Sequence, residues 1–418
     1  MAAAARAGSR YWVETLGCPK NQVDSDKLVG TLIADGMQPA ASADEADLVV
    51  VNTCAFIEEA RQESIDTILA LDADRRSDAE LIVTGCMAER YGAELADALP
   101  EVDAVRGFGV PVTLGTKPDR VPAFDLLNLP RPAATEPWAY VKVAEGCDRK
   151  CGFCAIPSFR GPQRSRTIAA ILDEVDQLDA REIVLVAQDL ASFGRDQGRG
   201  DRQIAGLVEA VAARTEWVRL LYLYPSDLTD ELVEAVLATG VPYFDLSLQH
   251  VSRPLLRRMR RWGDGQRFLD RIGDIRLQEP DATFRSNFIV GYPGETEDDH
   301  AELVDFVDAA QLDWCGFFAY SAESGTYAAE LDDRVPRGLT LERLAELTDM
   351  QDAITATKRD ELVGSRVEVL VDRPGRARSR REAPEIDGVI SVDAALPVGE
   401  FTKVTITTAL GPDLEAVR

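Results

Sequence analysis

Short apolar runs alternate with longer amphipathic stretches over the first hundred residues of the chain. Three of these runs have the length and the Val, Ile and Leu content of buried strands: residues 11–15, 47–52 and 80–84. Two stretches between them, at 25–35 and 58–71, carry apolar residues at helical spacing. Because strands that alternate with helices form parallel sheets, we expect an open α/β domain over residues 10–114.

A second and longer alternation follows a Pro-rich, aperiodic stretch at 115–137, which predicts a linker. Six apolar runs predict six further strands, at 140–144, 182–187, 218–224, 243–248, 283–290 and 314–320. Helical patterns follow most of them, at 167–178, 204–214, 229–238, 265–277 and 297–309. Residues 136–338 therefore predict a partial (β/α)6 barrel, an incomplete relative of the eight-unit barrel, whose chemistry lies at the carboxyl ends of its strands.

The last eighty residues follow a different pattern. Helical periodicity over 340–362 predicts a helical connector at 339–363. Beyond it, three Val- and Ile-rich runs are separated by Pro, Gly and Asp, which predicts a small β-barrel over 364–418. These runs are 366–371, 388–392 and 401–407. The expected fold class is therefore α/β, with a small OB-like barrel at the C-terminal end.

Composition narrows the class of protein. The chain is 45% hydrophobic and 28% charged, as expected for a globular protein. No run approaches the roughly 20 apolar residues of a membrane helix, and residues 1–10 lack the apolar core of a secretory signal. We therefore expect a cytoplasmic protein with no membrane partner, whose seven cysteines stay reduced and point to metal binding or catalysis. With only two histidines, a histidine-rich zinc site is disfavoured.

Three cysteines, Cys147, Cys151 and Cys154, follow the first predicted barrel strand within one loop. Three thiolates can hold three irons of a four-iron cubane and leave the fourth iron open. An open iron can be chelated by S-adenosylmethionine, whose reductive cleavage yields a 5′-deoxyadenosyl radical. The alternative, a zinc site, lacks a nearby histidine as its fourth ligand. The spacing resembles that of the radical S-adenosylmethionine superfamily, and Phe153 is expected to lie against the adenine.

Three other cysteines, Cys18, Cys54 and Cys86, each come just after a predicted N-terminal strand. Because the carboxyl ends of parallel strands share one edge of a sheet, these distant residues can converge there. This repeated register predicts a second three-cysteine cluster with one open iron. The alternative is three unrelated buried thiols, since free cysteine is often buried. Cys315 lies in a predicted strand without cysteine neighbours, and we interpret it as a core residue.

Together, these three parts resemble the methylthiotransferases over nearly the whole chain, from about residue 10 to residue 417. The resemblance implies two [4Fe–4S] clusters: an auxiliary cluster that carries sulfur and a radical cluster that activates the acceptor carbon. One S-adenosylmethionine would methylate the sulfur and another would supply the radical. The resemblance also implies a reducing electron carrier of the flavodoxin or ferredoxin type, and a C-terminal barrel similar to the TRAM domain.

Two motifs bear on the acceptor. The run Leu-Gly-Cys18-Pro-Lys-Asn-Gln resembles the branch that adds a methylthio group to the β-carbon of an aspartate in the twelfth protein of the small ribosomal subunit. The tRNA-modifying branch tends to carry a Gly-Cys-Gln-Met-Asn type run instead. The run Ile-Pro-Ser-Phe-Arg160-Gly, followed by Arg164-Ser-Arg166, is also similar to the ribosomal branch. The alternative acceptor is a tRNA adenosine.

Charge also favours a protein acceptor. The chain has a net charge of −26, and residues 361–418 contain ten acidic and eight basic residues, a net charge of −2. A barrel that grips tRNA phosphates should be basic, whereas a basic ribosomal protein suits an acidic enzyme. A local group of arginines either contacts RNA or lies in a solvated loop: Arg373, Arg376, Arg378, Arg380 and Arg381. A tRNA partner is therefore the less favoured prediction.

Further candidate binding residues lie at predicted strand ends. Gly291, Gly294 and Glu295 lie in a run that is similar to the superfamily's adenosyl-binding segment; the alternative is a strand-to-helix turn with Glu295 near the helix N-terminus. Gln188 and Gln249 close the second and fourth barrel strands, where methionine recognition is expected if they are not simply polar loop residues. Radical hydrogen abstraction needs no general base, so no catalytic acid or base is predicted.

Overall fold

The computed structural model of the protein describes residues 8–108, 127–198 and 200–418. The predicted linker up to residue 126 and the last six residues of the predicted N-terminal domain lie outside the described residues. The chain folds into two compact units. Of the described residues, the first unit comprises those within 1–133, 142–148 and 154–174, and the second unit comprises those within 134–141, 149–153 and 175–418.

The first unit contains a five-stranded parallel sheet in the order β2-β1-β3-β4-β5. Its strands are β1 (Arg10–Thr15), β2 (Gln38–Pro39), β3 (Leu48–Thr53), β4 (Glu80–Gly85) and β5 (Ala104–Val105). Its helices are α1 (Pro19–Ala34), α2 (Glu58–Asp74), α3 (Cys86–Ala98) and α4 (Ile156–Arg160). A short antiparallel pair, β7 (Ala144–Glu145) and β8 (Arg164–Ser165), belongs to the same unit.

The apolar strands of this sheet are covered on both faces. Val49 and Val51 pack into one core, and Leu48 and Val50 pack into the other. Every residue of β3 is buried, and its first four residues are all apolar, as expected for a strand that is covered on both faces. The predicted open parallel α/β fold is confirmed.

The second unit contains a six-stranded sheet in the order β13-β12-β11-β10-β9-β6. The strands are β6 (Trp138–Lys142), β9 (Glu182–Val186), β10 (Trp217–Leu223), β11 (Tyr243–Gln249), β12 (Thr283–Val290) and β13 (Trp314–Ala319). Helix α5 (Ile168–Leu178) begins in the first unit and ends in the second. The helices of the second unit are α6 (Ile204–Ala212), α7 (Asp230–Ala238), α8 (Arg253–Arg258), α9 (Gly265–Gln278), α10 (Glu297–Ala310) and α11 (Arg337–Asp360). Neighbouring strands from β9 to β13 run parallel, which confirms the predicted partial barrel.

The C-terminal strands close into a barrel in the order β14-β15-β16-β18-β17. They are β14 (Arg366–Arg373), β15 (Arg376–Arg378), β16 (Ile390–Ser391), β17 (Phe401–Leu410) and β18 (Asp413–Val417). Val369, Val404 and Leu414 lie in its apolar core. Closure leaves no free strand edge, and the predicted small β-barrel is confirmed.

A buried ion network joins this barrel to the six-stranded sheet within the second unit. Glu182 accepts hydrogen bonds from Arg219 Nε and Arg378 Nη1, both at 2.8 Å, and all three side chains are almost fully buried. Arg378 also donates to Asp372 at 2.6 and 3.0 Å. Within the same unit, Arg359 pairs with buried Glu382.

Most members of the predicted arginine group pair with carboxylates of the second unit. Besides Arg378, Arg373 pairs with Glu136 at 3.1 Å, and both Arg380 and Arg381 pair with Asp281. Burial excludes both proposed environments for Arg378, whereas Arg373 and Arg380, with 58% and 40% of the side chain exposed, are accessible to solvent. In the described part of the chain, no helix is long and apolar enough to span a membrane.

Candidate metal centre and cofactor site

Cys18, Cys54 and Cys86 lie at the carboxyl ends of three adjacent strands of the first unit. Cys18 is the N-cap residue of α1, Cys54 directly follows β3, and Cys86 is the first residue of α3. Because β1, β3 and β4 are neighbours in a parallel sheet, these ends share one edge. Cys54 and Cys86 are buried, and Cys18 is half-buried.

The three thiols are close enough to affect one another's ionisation. Burial, with a smaller contribution from neighbouring Cys18 and Cys86, raises the pKa of Cys54 to about 12. Burial also raises the pKa of Cys86, although Arg160 acts in the opposite direction. At Cys18, burial is outweighed by Lys20, the Asn21 backbone N–H and Arg160, which hold its pKa below the ordinary value.

Close packing of the backbone brings two of these loops together. Gly17 has a φ of +92°, and a Cβ atom at this position would lie 2.9 Å from Cys54 Sγ. Only glycine accepts both this conformation and this approach. Asn21 Nδ2 donates to Leu16 O at 2.9 Å and to Thr53 O at 3.0 Å, and so ties the loop after β1 to the end of β3.

The donor set fits an iron–sulfur cluster with three protein ligands. Soft thiolates are the ligands that hold such clusters, and three of them leave one iron of a cubane open. Among the described residues, no group of three or more His, Cys, Asp or Glu side chains is arranged to hold a metal ion. The cysteine sulfurs around a cubane lie farther apart than those around one metal ion. The absence of a single-ion site among the described residues therefore does not bear on a cluster.

Arg160 was not predicted as a site residue, although the sequence shows it six positions after Cys154. It ends α4 and is 5% exposed. Its Nη2 donates to Cys86 Sγ at 3.1 Å and to Asn21 Oδ1 at 2.9 Å. The only signal in the sequence was an arginine in a Phe-Arg-Gly run of a strongly acidic chain, with net charge −26. The sequence could not show the contact with Cys86, because the two residues lie 74 positions apart.

The second cysteine motif is divided between the units. Cys147 and Cys154 belong to the first unit, in which Cys147 N donates to Gly161 O at 3.1 Å. Cys151 belongs to the second unit, in which its Sγ accepts a hydrogen bond from Arg261 Nη1 at 3.2 Å. A cationic donor therefore contacts one cysteine of each motif, and hydrogen bonds of this kind tune iron–sulfur clusters.

The stretch around Cys151 is fastened to the second unit by its backbone. Gly152 N donates to Met259 O, and Ala328 N donates to Gly152 O, both at 2.8 Å. Arg149 Nε donates to Asp189 Oδ2 at 2.6 Å, and its guanidinium lies 3.9 Å above the Tyr224 ring. Phe153, in the same segment, is half-buried.

The other predicted cofactor residues lie at the carboxyl ends of strands in the second unit. Gln188 follows β9 and is half-buried, and Gln249 ends β11 with a φ of +72°. Gly291 directly follows β12, where its φ is +80° and a Cβ atom would lie 2.4 Å from Thr340 Oγ1. The sheet therefore places these residues on its common edge, where (β/α) barrels carry their chemistry.

Glu295 closes the turn after β12. Its Oε2 accepts hydrogen bonds from Gly291 N at 2.6 Å and Tyr292 N at 3.2 Å, and Arg343 Nη1 donates to Oε1 at 2.8 Å. Burial raises its pKa despite these partners. The carboxylate thus shapes the loop that contains Gly291 and Gly294.

His250, which follows β11, is a buried neutral histidine. Its Nδ1 accepts a hydrogen bond from Ser252 N at 3.1 Å. Burial lowers its pKa to about 4, with Asp299 acting to raise it and both His300 and Arg343 acting to lower it.

We expect this histidine to make the protein less stable as the pH falls below about 6.5, the pKa of an unfolded histidine. The unfolded chain takes up a proton there while folded His250 remains neutral, so the free energy of unfolding decreases by about 1 kcal/mol between pH 6.5 and 5.5. Urea unfolding of the wild type and His250→Gln at both pH values measures this contribution. His300→Gln is the control, and an equal pH effect in wild type and His250→Gln contradicts the prediction.

Comparison with known families agrees with this three-part organisation. Residues 10–107 match the uncharacterized protein family UPF0004, residues 141–307 match the radical SAM superfamily, and residues 363–418 match the TRAM domain. Among solved structures, the cobalamin-dependent S-adenosylmethionine radical enzyme OxsB gives a TM-score of 0.47 at 9% identity, over 83% of this chain and 56% of that chain.

Several curated proteins are similar over nearly the full length. The ribosomal protein uS12 methylthiotransferase RimO of Moorella thermoacetica is 42% identical, over 95% of this chain and 96% of that protein. The protein of the same name from Aquifex aeolicus is 40% identical, over 96% and 95%. The one from Cutibacterium acnes is 39% identical, over 96% of each chain. The chain therefore belongs to the ribosomal protein uS12 methylthiotransferase family, within the radical SAM superfamily.

Proposed function

We propose that the protein transfers a methylthio group to the β-carbon of an aspartate in ribosomal protein uS12 by radical S-adenosylmethionine chemistry. The similar proteins from three bacteria carry the name of that activity. The observation that carries the proposal is the set of three thiols at the ends of β1, β3 and β4, because sulfur transfer needs a second cluster besides the radical one.

Cys147, Cys151 and Cys154 would hold the radical [4Fe–4S] cluster, and Cys18, Cys54 and Cys86 the auxiliary one. When bound, the radical cluster and S-adenosylmethionine supply the 5′-deoxyadenosyl radical that abstracts hydrogen from the acceptor carbon. Phe153, Gln188, Gln249, Gly291 and Gly294 bind and orient S-adenosylmethionine at the edge of the sheet. Glu295 holds the glycine loop in shape through its hydrogen bonds to Gly291 and Tyr292.

The proposal includes a domain division and partners. The domains are 10–114, which holds the auxiliary cluster; 136–338, which carries the radical chemistry; 339–363, a helical connector; and 364–418, the barrel. The electron donor is a flavodoxin or ferredoxin type carrier in the cytoplasm. The net charge of −26 suits a basic ribosomal protein as substrate.

Anaerobically reconstituted enzyme with S-adenosylmethionine and reductant tests the acceptor. We expect uS12 to gain the mass of one methylthio group in place of one hydrogen. In a parallel reaction, tRNA should remain unmodified. A uS12 variant in which the modified aspartate is replaced by asparagine is the matched control and should stay unmodified.

The competing acceptor is a tRNA adenosine. Arg373, Arg378, Arg380 and Arg381 are engaged by carboxylates of the second unit, which leaves less positive charge for binding phosphates. Methylthiolated tRNA together with unmodified uS12 would refute the proposed substrate.

A further inference from the structure

The guanidinium of Arg160 lies inside the cysteine site of the first unit. Its Nη2 donates to Cys86 Sγ at 3.1 Å and to Asn21 Oδ1 at 2.9 Å. Cys86 is buried, so bulk water competes less for hydrogen bonds to its sulfur than it would at the surface. A hydrogen bond from a charged donor to a buried thiolate is stronger than one between neutral groups.

The position of Arg160 does not depend on Cys86. Its Nη1 donates to Asp24 Oδ2 at 2.9 Å and to Glu145 Oε2 at 3.0 Å. Lys142 Nζ pairs with the same two carboxylates, at 2.7 Å from Asp24 Oδ1. Two cations and two carboxylates therefore balance one another, and the guanidinium is already oriented whatever the charge on the cysteine sulfur.

An aromatic ring adds to this orientation. The Arg160 guanidinium lies 3.9 Å from the centroid of the Phe108 ring. Phe108 N in turn donates to Glu89 Oε2 at 2.7 Å, which holds the segment after β5 against α3. The guanidinium is therefore fixed by the carboxylates of Asp24 and Glu145, the side-chain amide of Asn21 and the ring of Phe108. Its Nη2 group is left oriented to donate to the cysteine sulfur.

We infer that Arg160 is a positioning residue that stabilises negative charge added to the auxiliary cluster; this inference rests on the proposed assignment of Cys18, Cys54 and Cys86 as cluster ligands. Added charge arrives in two forms: one electron from an external reductant, or an anionic sulfur ligand at the open iron. Both are favoured by a cation in contact with a ligand sulfur, because hydrogen bonds and charge at the sulfurs set cluster potentials.

A purely structural role predicts something different. If Arg160 only holds α4 against the sheet, its replacement lowers stability without changing the properties of an assembled cluster. The test therefore needs a potential and a ligand affinity, and not only activity.

The experiment uses the full chain with Cys147→Ala, Cys151→Ala and Cys154→Ala, so that only the auxiliary cluster assembles. In this background, Arg160→Gln is compared with Arg160→Lys. We expect potentiometric titration followed by electron paramagnetic resonance to give a more negative midpoint for Arg160→Gln, and a smaller shift in the same direction for Arg160→Lys. Methanethiolate, added as the probe anion, should bind Arg160→Gln about tenfold more weakly or worse.

Arg166→Gln is the matched control. Arg166 is a buried arginine of the same unit that pairs with Glu174 at 2.7 Å and donates to Lys142 O. It should lower stability without shifting the midpoint or the methanethiolate affinity. If Arg160→Gln does not retain its cluster, Arg160→Lys measured against Arg166→Gln decides the question.

Two results would overturn the inference: a midpoint and affinity unchanged in the Arg160 variants, or equal shifts in Arg166→Gln. A different result separates it from the proposed function. If the triple-alanine background binds no iron at all, Cys18, Cys54 and Cys86 do not hold a cluster, and the proposed auxiliary site fails before Arg160 is tested.

Discussion

Cys86→Ala is expected to abolish methylthio transfer to uS12 while S-adenosylmethionine is still cleaved to 5′-deoxyadenosine. The auxiliary site then keeps two thiols, which cannot hold a cubane, while Cys147, Cys151 and Cys154 are unchanged. Iron content should fall from about eight to about four per chain, as expected when one of two four-iron clusters is lost. Anaerobic iron and sulfide analysis, together with chromatography of both products, measures the effect.

Two further variants complete this experiment. Cys151→Ala should remove both products, because no radical forms without its cluster. Cys315→Ala should change neither, since Cys315 lies in β13, where its Sγ donates to Gly316 O at 4.0 Å, and belongs to neither set of three cysteines. Undiminished methylthio transfer by Cys86→Ala, or a wild-type protein with only four irons, would contradict the two-cluster assignment.

Glu182→Gln is expected to lower the free energy of unfolding by about 3–5 kcal/mol, the usual effect of removing one partner from a buried ion pair. Burial alone would raise the pKa of Glu182, but Arg378 and Arg219 outweigh it and keep the carboxylate ionised. The neutral amide leaves the guanidinium of Arg219 buried without its countercharge, since this side chain has 0% exposure.

Denaturant unfolding of the apo-protein, followed by circular dichroism, measures this loss. Arg376→Gln is the matched control, because Arg376 is an exposed arginine of the same barrel and its replacement should change stability by less than about 0.5 kcal/mol. Similar unfolding curves for Glu182→Gln and Arg376→Gln would mean that the network does not stabilise the second unit.

Much of the fold follows from local pattern. The sequence predicts the positions of β3 and β12 within one residue, because β3 is a buried, largely apolar run and β12 ends in the apolar run Phe-Ile-Val. The register of Cys18, Cys54 and Cys86 is visible in the sequence because each comes within three residues of the end of a strand. Parallel strands also imply which strand ends meet, so the sequence alone predicts the shared edge.

Other features leave no local pattern. Helix α1 begins at Pro19, directly after Cys18, but its first turn is polar and the apolar spacing becomes clear only near residue 25. Strand β15 has only three residues, too few for a periodicity. The sequence does not distinguish Arg378 from an exposed arginine, because its partner Glu182 lies 196 positions away. Such contacts depend on tertiary packing.

The sheet of the first unit has a consequence for cluster maintenance. Its two apolar cores and the asparagine contacts that tie its strand ends consist of protein atoms alone. Loss of iron and sulfide should therefore leave the scaffold folded. A lost cluster can then be rebuilt on a sheet that already holds its strand ends in place.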